Sequence, residues 1–302
     1  MQKERHIYIY SPSGAVRDKA AFRRGVRCLE KQGCRVEIDP DALSRSQRFA
    51  GDDNTRLQAI HRVATSGADL ALITRGGYGL TRLLPDLPYD ALARAIDQGT
   101  QFVGFSDFTA LQLALMAKTG RATWAGPALC EGFGAAEPDD IMVDCFFDVL
   151  NRQGEGVGWR LPKAHPGFSI ESATLWGGNL TTLCALLGSP YFPSVCGGIL
   201  FIEDVGEHPY RIERQLTQLL YSGVLAAQKA IVLGQFSEYK LTSHDRGFKM
   251  QSVIEWLQPR IGIPLLTNLP FGHVPTKVML PVGRTVDMTV EGRDALIVWG
   301  DL

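Results

Sequence analysis

The sequence lacks an excess of charge of either sign, and it lacks a long hydrophobic run. Its 302 residues carry 31 Lys and Arg against 32 Asp and Glu, so the formal net charge is −1 at pH 7. This balance gives no electrostatic reason to expect a nucleic acid or an anionic membrane as a partner. No stretch approaches the roughly 20 apolar residues of a membrane span, and the N-terminus shows no apolar signal core. We therefore expect a cytoplasmic protein with a small ligand.

Cysteine and histidine are present, but not in the spacings of a metal site. The six cysteines include no C-x-x-C pair, and their spacings match no zinc module. Several lie in apolar runs, as Cys184 does, where a reduced thiol behaves as a small hydrophobic side chain. The sequence therefore predicts reduced thiols, no metal and no cofactor.

The first half of the chain alternates short apolar runs with helical patterns. Four apolar runs are typical of strands: 7–10, 34–38, 69–74 and 102–105. This order predicts an α/β domain over residues 1–150, with a doubly wound parallel sheet. Glycine and proline then interrupt the pattern, so we place a linker at 151–168. Residues 169–302 are richer in strand signals and predict a β-rich domain that ends in a hairpin turning at 291–293.

A serine stands where a predicted strand runs into a predicted helix. The segment GFSDFTAL at 104–111 places Ser106 at the bend. Such a bend can lift a nucleophile above a sheet edge and direct backbone N–H groups to the same point. The segment is not a complete G-x-S-x-G elbow, and Ser or Asp before a helix is more often an N-cap. On this segment alone the cap is the commoner explanation.

A glycine-rich turn follows the preceding strand. The run RGGYG at 75–79 contains paired glycines, which let a ligand approach the backbone and offer N–H groups to an anion. The alternative is an ordinary tight turn between strand and helix. If both strands belong to one parallel sheet, their carboxyl ends lie at the same edge. The glycine-rich turn and Ser106 would then face a shared crevice.

An apolar strand in the second half ends in two carboxylates, Glu203 and Asp204. Side chains alternate along a strand, so only one of the two can be directed at a base across the crevice. The simpler explanation is that Asp204 or Glu207 caps the helix that follows. His208 and His273 are the candidate bases, and residue spacing does not choose between them.

Taken together, these motifs resemble those of the serine LD-carboxypeptidases, the muramoyltetrapeptide carboxypeptidases of bacterial peptidoglycan recycling. The similarity rests on motifs that occur in the same order: 75–79, 104–109, 175–180 (LWGGNL), 202–204 and 271–273. It extends over nearly the whole chain, from the SPSG loop at 11–14 to the late strands. It implies an N-terminal α/β domain, a C-terminal β-rich, barrel-like domain, a site between them and a homodimer.

The resemblance also implies the roles of individual residues. Ser106 would be the nucleophile, His273 the general base and Glu203 the carboxylate that orients it. The backbone N–H groups of Gly77 and Asp107 would form the oxyanion hole. The same resemblance places Gly76, Arg75, Tyr78 and Asn179 around the substrate, and Arg75 is by position a candidate for the group that binds the D-alanine carboxylate.

The implied reaction is removal of the terminal D-alanine from a peptidoglycan tetrapeptide. The bond cut would join the L-centre of a diamino acid to D-alanine, without a metal. One alternative is a microcin-immunity peptidase of the same family, which would cleave a peptide–nucleotide conjugate. Another is a two-domain protein that binds a peptidoglycan fragment without turnover.

Overall fold

The first half of the chain forms alternating strands and helices in the computed structural model, which describes residues 4–300. The strands are β1 (His6–Tyr10), β2 (Arg35–Ile38), β3 (Leu70–Ile73), β4 (Gln101–Gly104) and β5 (Thr123–Ala125). The helices are α1 (Lys19–Lys31), α2 (Asp53–Ala64), α3 (Tyr89–Asp97), α4 (Thr109–Thr119) and α5 (Asp140–Asn151). This alternation confirms the predicted α/β architecture.

The second half contributes longer strands and fewer helices. The strands are β6 (Gly156–Asn179), β7 (Ile199–Val205), β8 (Ala230–Ser237), β9 (Leu265–Leu266), β10 (Leu280–Val282) and β11 (Arg284–Val298). The helices are α6 (Leu180–Leu186), α7 (Pro209–Tyr221) and α8 (Met250–Ile261). Within residues 4–300, no helix is long and apolar enough to cross a membrane.

The first sheet has the order β10-β5-β4-β3-β1-β2. Strands β1 to β5 are parallel, and β10 joins the edge antiparallel to β5. Every residue of β1 and β3 is buried, as expected where helices cover both faces of a parallel sheet. The chain order reverses between β1 and β3, and ligands of open α/β sheets bind outside the carboxyl ends of the strands at such a point.

The second sheet has the order β11-β6-β7-β8-β9 and curls into a half-barrel. Strands β6 to β9 are parallel, and β11 runs antiparallel along β6. Six of the seven residues of β7 are buried, including both of its carboxylates. The curled sheet confirms the prediction of a β-rich second half.

Two details of the predicted second half are wrong. Most of the segment predicted as a linker, 151–168, is strand, because β6 begins at Gly156. Its prolines, Pro162 and Pro166, lie where the register between β6 and β11 shifts, and such bulges tolerate proline. The hairpin predicted at 291–293 is absent as well, since β11 continues through these residues. Gly292, with φ of 59°, supplies a bulge instead of a turn.

Candidate active site

Ser106 lies on a strained turn between β4 and α4. Residues Ser106–Phe108 form a short 3₁₀ turn that leads directly into the helix. Ser106 has φ of 64°, in the left-handed region, which disfavours a non-glycine residue by roughly 1–2 kcal/mol. No side chain caps either the short turn or α4, so the explanation of Ser106 as a helix cap fails. Strain of this kind, held in place by its surroundings, is typical of functional positions.

The carboxyl group of Asp107 fixes this turn from behind. It is buried and accepts hydrogen bonds from the hydroxyl of Ser13 and from the backbone N–H of Leu80, the latter at 2.9 Å. Burial raises the pKa of Asp107, although these two hydrogen bonds and the charge of Arg56 oppose that rise. The side chain therefore ties the turn after β4 to the loops after β1 and β3.

Gly76 lies directly against the Ser106 side chain. A Cβ atom at position 76 would be 2.5 Å from Cβ and 2.6 Å from Oγ of Ser106, so a larger residue would collide with it. The next residue, Gly77, has a φ angle of 118°, which residues with a side chain rarely adopt. The carbonyl of Gly76 accepts a hydrogen bond of 3.2 Å from the N–H of Gly14. The loops after β1, β3 and β4 thus meet at one point of the sheet edge.

The second sheet provides a histidine–carboxylate pair. Glu203, on β7, is fully buried, and its Oε2 accepts a hydrogen bond of 2.8 Å from Nδ1 of His273. His273 lies in the loop before β10, next to Gly272. A Cβ atom on residue 272 would be 3.2 Å from Oε2 of Glu203. The φ angle of Gly272, 138°, also favours glycine. Glycine at 272 therefore allows the loop to approach the carboxylate.

The environment of His273 favours its protonated form. Burial is the largest single influence and acts to lower the pKa. The hydrogen bond and the negative charge of Glu203, together with the charges of Glu131 and Asp204, outweigh it and raise the pKa of His273 above its ordinary value. The imidazole also lies against the residue that precedes Ser106, because the ring centres of Phe105 and His273 are 4.7 Å apart.

Ser106 and His273 line the same cavity, which has a volume of about 500 Å³. This volume lies within the range of small-molecule sites. The charged side chains of its wall are Arg17, Arg48, Arg75, Lys277, Glu131 and Glu238. The excess of basic groups suits a ligand that carries negative charge.

Comparison with known proteins identifies the fold and its relatives. The LD-carboxypeptidase N-terminal domain matches residues 7–126, and the LD-carboxypeptidase C-terminal domain matches residues 172–288. The murein tetrapeptide carboxypeptidase of Pseudomonas aeruginosa is 31% identical over 92% of this chain and 91% of its own length. The chain belongs to the LD-carboxypeptidase family.

Solved structures agree with this assignment. The muramoyltetrapeptide carboxypeptidase from Oxalobacter formigenes superposes with a TM-score of 0.89 at 38% identity, covering 98% of this chain and 99% of the other. The microcin C7 self-immunity protein MccF of Escherichia coli is also related, at 29% identity over 95% of this chain and 90% of its own length. Both relatives match nearly the whole of this chain.

The remaining residues that the sequence predicts for the site lie in three different settings. Arg75 lines the cavity, and its Nε lies 3.3 Å from Oε1 of Glu131. Tyr78 is half exposed, packs against Phe49 and is not part of the cavity wall. Asn179 is buried behind Glu203 and donates to its Oε1 at 3.2 Å. Asn179 therefore positions the carboxylate and does not face the ligand space.

The second carboxylate and the second histidine have structural partners. Asp204 accepts hydrogen bonds from the N–H and hydroxyl of Thr181, at 2.8 and 2.7 Å, and from the amide of Asn179 at 2.9 Å. It therefore caps the start of α6 instead of the helix expected from the sequence. His208 caps α7, and its Nε2 lies 3.2 Å from Asp245.

Lys277 belongs to the cavity wall and is not among the site residues predicted from the sequence. Its side chain is almost fully buried, and its Nζ donates to the carbonyl of Val274 at 2.5 Å. One signal in the sequence could have indicated it. Lys277 comes four residues after His273 and directly before an apolar run, where an ionisable group needs a polar partner.

Proposed function

We propose that this protein is a serine LD-carboxypeptidase that releases the terminal D-alanine from peptidoglycan-derived tetrapeptides. The observation that carries the proposal is the hydrogen bond between Glu203 and His273 at the wall of the cavity that also exposes Ser106. A carboxylate, an imidazole and a hydroxyl at one cavity are the groups that acyl transfer through a serine requires. The names of the murein-specific relatives support the choice of substrate.

In the acylation step, Oγ of Ser106 attacks the carbonyl carbon of the diamino acid. Because Nδ1 of His273 is committed to Glu203, Nε2 takes the serine proton. The oxyanion forms beside the backbone N–H groups of Gly77 and Asp107, which stabilise the developing negative charge. His273 then passes the proton to the departing amine of D-alanine, and the tripeptide acyl group remains on Ser106.

In the deacylation step, water replaces the amine. His273 removes a proton from the water, the hydroxide adds to the ester carbonyl, and the proton returns to Oγ of Ser106 as the tripeptide leaves. Glu203 stabilises the imidazolium that forms in each step, and Asn179 holds Glu203 in place from behind. No step in this sequence requires a metal.

A second candidate function is hydrolysis of a microcin-type aminoacyl nucleotide. It is favoured by the similarity to MccF bound to glutamyl sulfamoyl guanosine, which has a TM-score of 0.86 over the whole of this chain at 25% identity. A third candidate, binding without turnover, predicts that Ser106→Ala leaves ligand affinity unchanged and that the unmodified protein releases no alanine.

Cytoplasmic location and a homodimeric state stay predictions. Size-exclusion chromatography of the purified protein tests the homodimeric state.

Mass spectrometry of the purified protein with free tetrapeptide tests the proposal. We expect the mass of the peptide to fall by one alanine residue, and Ser106→Ala to reduce kcat by about 10⁴-fold or more. A tetrapeptide that ends in L-alanine is the matched control. Cleavage of an aminoacyl sulfamoyl adenosine, with an intact tetrapeptide, would favour the microcin-type function instead.

A further inference from the structure

Lys277 is a buried cation at the cavity that holds Ser106 and His273. Only 2% of the residue is exposed. Its Nζ donates to the carbonyl of Val274 at 2.5 Å and to the carbonyl of Glu131 at 3.4 Å. An ammonium group has three protons, so these two contacts leave one proton without a hydrogen-bond acceptor. The other recorded neighbour of Nζ is the face of the Phe105 ring.

The charge of Lys277 is only partly compensated. Across residues 4–300, no carboxylate oxygen lies within 4.0 Å of its Nζ. Burial lowers the pKa of Lys277, and the more distant charges of Glu131, Glu203 and Asp139 oppose this effect. Arg75 differs, because its guanidinium is already paired with Glu131. A buried cation that lacks a counter-ion gains most from an incoming anion.

The position of Lys277 fits the anion that a carboxypeptidase substrate provides. The Nζ of Lys277 lies 5.2 Å from the ring centre of Phe105. The Phe105 ring contacts the His273 ring, and Phe105 is the residue directly before Ser106. In a carboxypeptidase substrate, the terminal carboxylate is one residue beyond the bond that is cut, a span of about 3.8 Å along the chain. The group that binds this carboxylate must therefore lie at the same cavity as the nucleophile.

We propose that Lys277 binds the terminal carboxylate of the residue to be released and so restricts the enzyme to the ends of peptides. This inference rests on the proposed carboxypeptidase function and names a specificity determinant within it. The third proton of Nζ donates to the carboxylate, while the Val274 and Glu131 carbonyls hold the amine in place. Lys277 then contributes to recognition of the leaving residue, and Ser106 and His273 carry out the chemistry.

A purely structural role makes a different prediction. The contacts of Lys277 join the loop after His273 to the segment around Glu131, so its loss could simply displace the base. Displacement of His273 would slow every substrate equally. Loss of carboxylate binding would slow only a substrate that has a free carboxylate.

The test compares the tetrapeptide with its C-terminal amide, in which the carboxylate is replaced by a neutral group. We expect the unmodified enzyme to have a kcat/KM at least about 30-fold higher for the acid than for the amide. Lys277→Met should lower kcat/KM for the acid by a similar factor and change that for the amide by less than about threefold. Lys229→Met is the matched control, because Lys229 is exposed and also donates to a backbone carbonyl, that of Glu171.

Three results would overturn the proposal. Equal kcat/KM for acid and amide in the unmodified enzyme would exclude carboxylate recognition, whether or not Lys277→Met folds. An equal loss on both substrates in Lys277→Met would assign Lys277 a structural role. Failure of the unmodified enzyme to release D-alanine from the acid or D-alaninamide from the amide would contradict the proposed function itself, and the role of Lys277 with it.

Discussion

Two histidine–carboxylate pairs lie within the described part of the second half of the chain, and both are largely shielded from solvent. In one pair Nδ1 of His273 lies 2.8 Å from Glu203, and in the other Nε2 of His208 lies 3.2 Å from Asp245. The two rings therefore present opposite nitrogens to their carboxylates. Because a carboxylate only accepts, His273 carries its proton on Nδ1 and His208 on Nε2.

The second nitrogen of each ring distinguishes the proposed base, His273, from His208. Nδ1 of His208 accepts a hydrogen bond of 3.4 Å from the N–H of Tyr210, so both nitrogens of that ring are occupied. Within residues 4–300, Nε2 of His273 has no hydrogen-bond partner, and the ring lines the cavity of Ser106. A histidine–carboxylate hydrogen bond is thus not sufficient for catalysis, since one nitrogen must stay available to a proton donor.

Removal of each imidazole gives the largest contrast. We expect His273→Ala to reduce kcat by about 10⁴-fold, since the serine loses its base. His208→Ala should change kcat by less than about threefold, because it removes a cap of α7 and the pairing with Asp245, neither of which lies at the cavity. Steady-state alanine release by both variants measures the difference. A collapse of activity in His208→Ala, with His273→Ala near the unmodified enzyme, would reverse the assignment.

Replacing the carboxylate of each histidine–carboxylate pair by an amide compares the two pairs through the pH dependence of kcat/KM. Glu203→Gln should lower kcat by about 10³–10⁴-fold, because the ring loses the acceptor that fixes its tautomer. The raised pKa of His273 means that kcat/KM of the unmodified enzyme rises with pH through a midpoint above about 6.5. Loss of the Glu203 charge should move this midpoint to lower pH. Asp245→Asn should leave the midpoint unchanged, and an equal shift in both variants would argue against a specific role of Glu203.

Asp204→Asn tests the neighbouring carboxylate. We expect it to lower the free energy of unfolding by about 1–3 kcal/mol, since an amide nitrogen cannot accept from Thr181 and leaves a buried donor unpaired. The kcat of this variant should stay within about threefold. Urea denaturation and alanine release give the two values. A large loss of kcat with unchanged stability would place Asp204 in the reaction.

Ser106→Gly should have the smallest effect on stability, and of the opposite sign. Glycine relieves the left-handed strain at φ of 64°, and its greater flexibility in the unfolded chain offsets part of that gain. We expect the free energy of unfolding to rise by about 0.5–1 kcal/mol. Ser106→Ala, which retains the strain, is the matched control. A melting temperature of Ser106→Gly below that of Ser106→Ala would show that the turn is not strained.

The sequence predicts the turn of the proposed nucleophile, Ser106, better than it predicts the proposed base, His273. Ser106 is visible because a strand, a bend and a helix follow one another within a few residues. Glu203 and His273 are 70 residues apart, and the choice of these two over Asp204 and His208 came from the family resemblance. The pairing register of β7 and β8 also shifts between Ile202 and Asp204. A strict alternation of side chains along β7 does not predict such a shift.

Other parts of the site depend on contacts between distant segments. Asn179 was predicted to face the substrate, yet both ends of its amide are used by the protein, toward Glu203 and toward the first turn of α6. The sequence does not predict Lys277 as a site residue, because the carbonyl of Glu131 comes next to it only in the folded chain. Proline at a bulge resembles proline in a loop when only the sequence is considered, so the sequence predicts a linker where β6 runs.

The most direct test of the account is the non-additivity of Ser106→Ala and His273→Ala. If the two residues act as one unit, the double variant should lose about as much kcat as either single variant, roughly 10⁴-fold. The measurement is alanine release from the tetrapeptide by the unmodified enzyme, both single variants and the double variant. Losses that multiply in the double variant would show that Ser106 and His273 act independently, and would contradict the proposed triad.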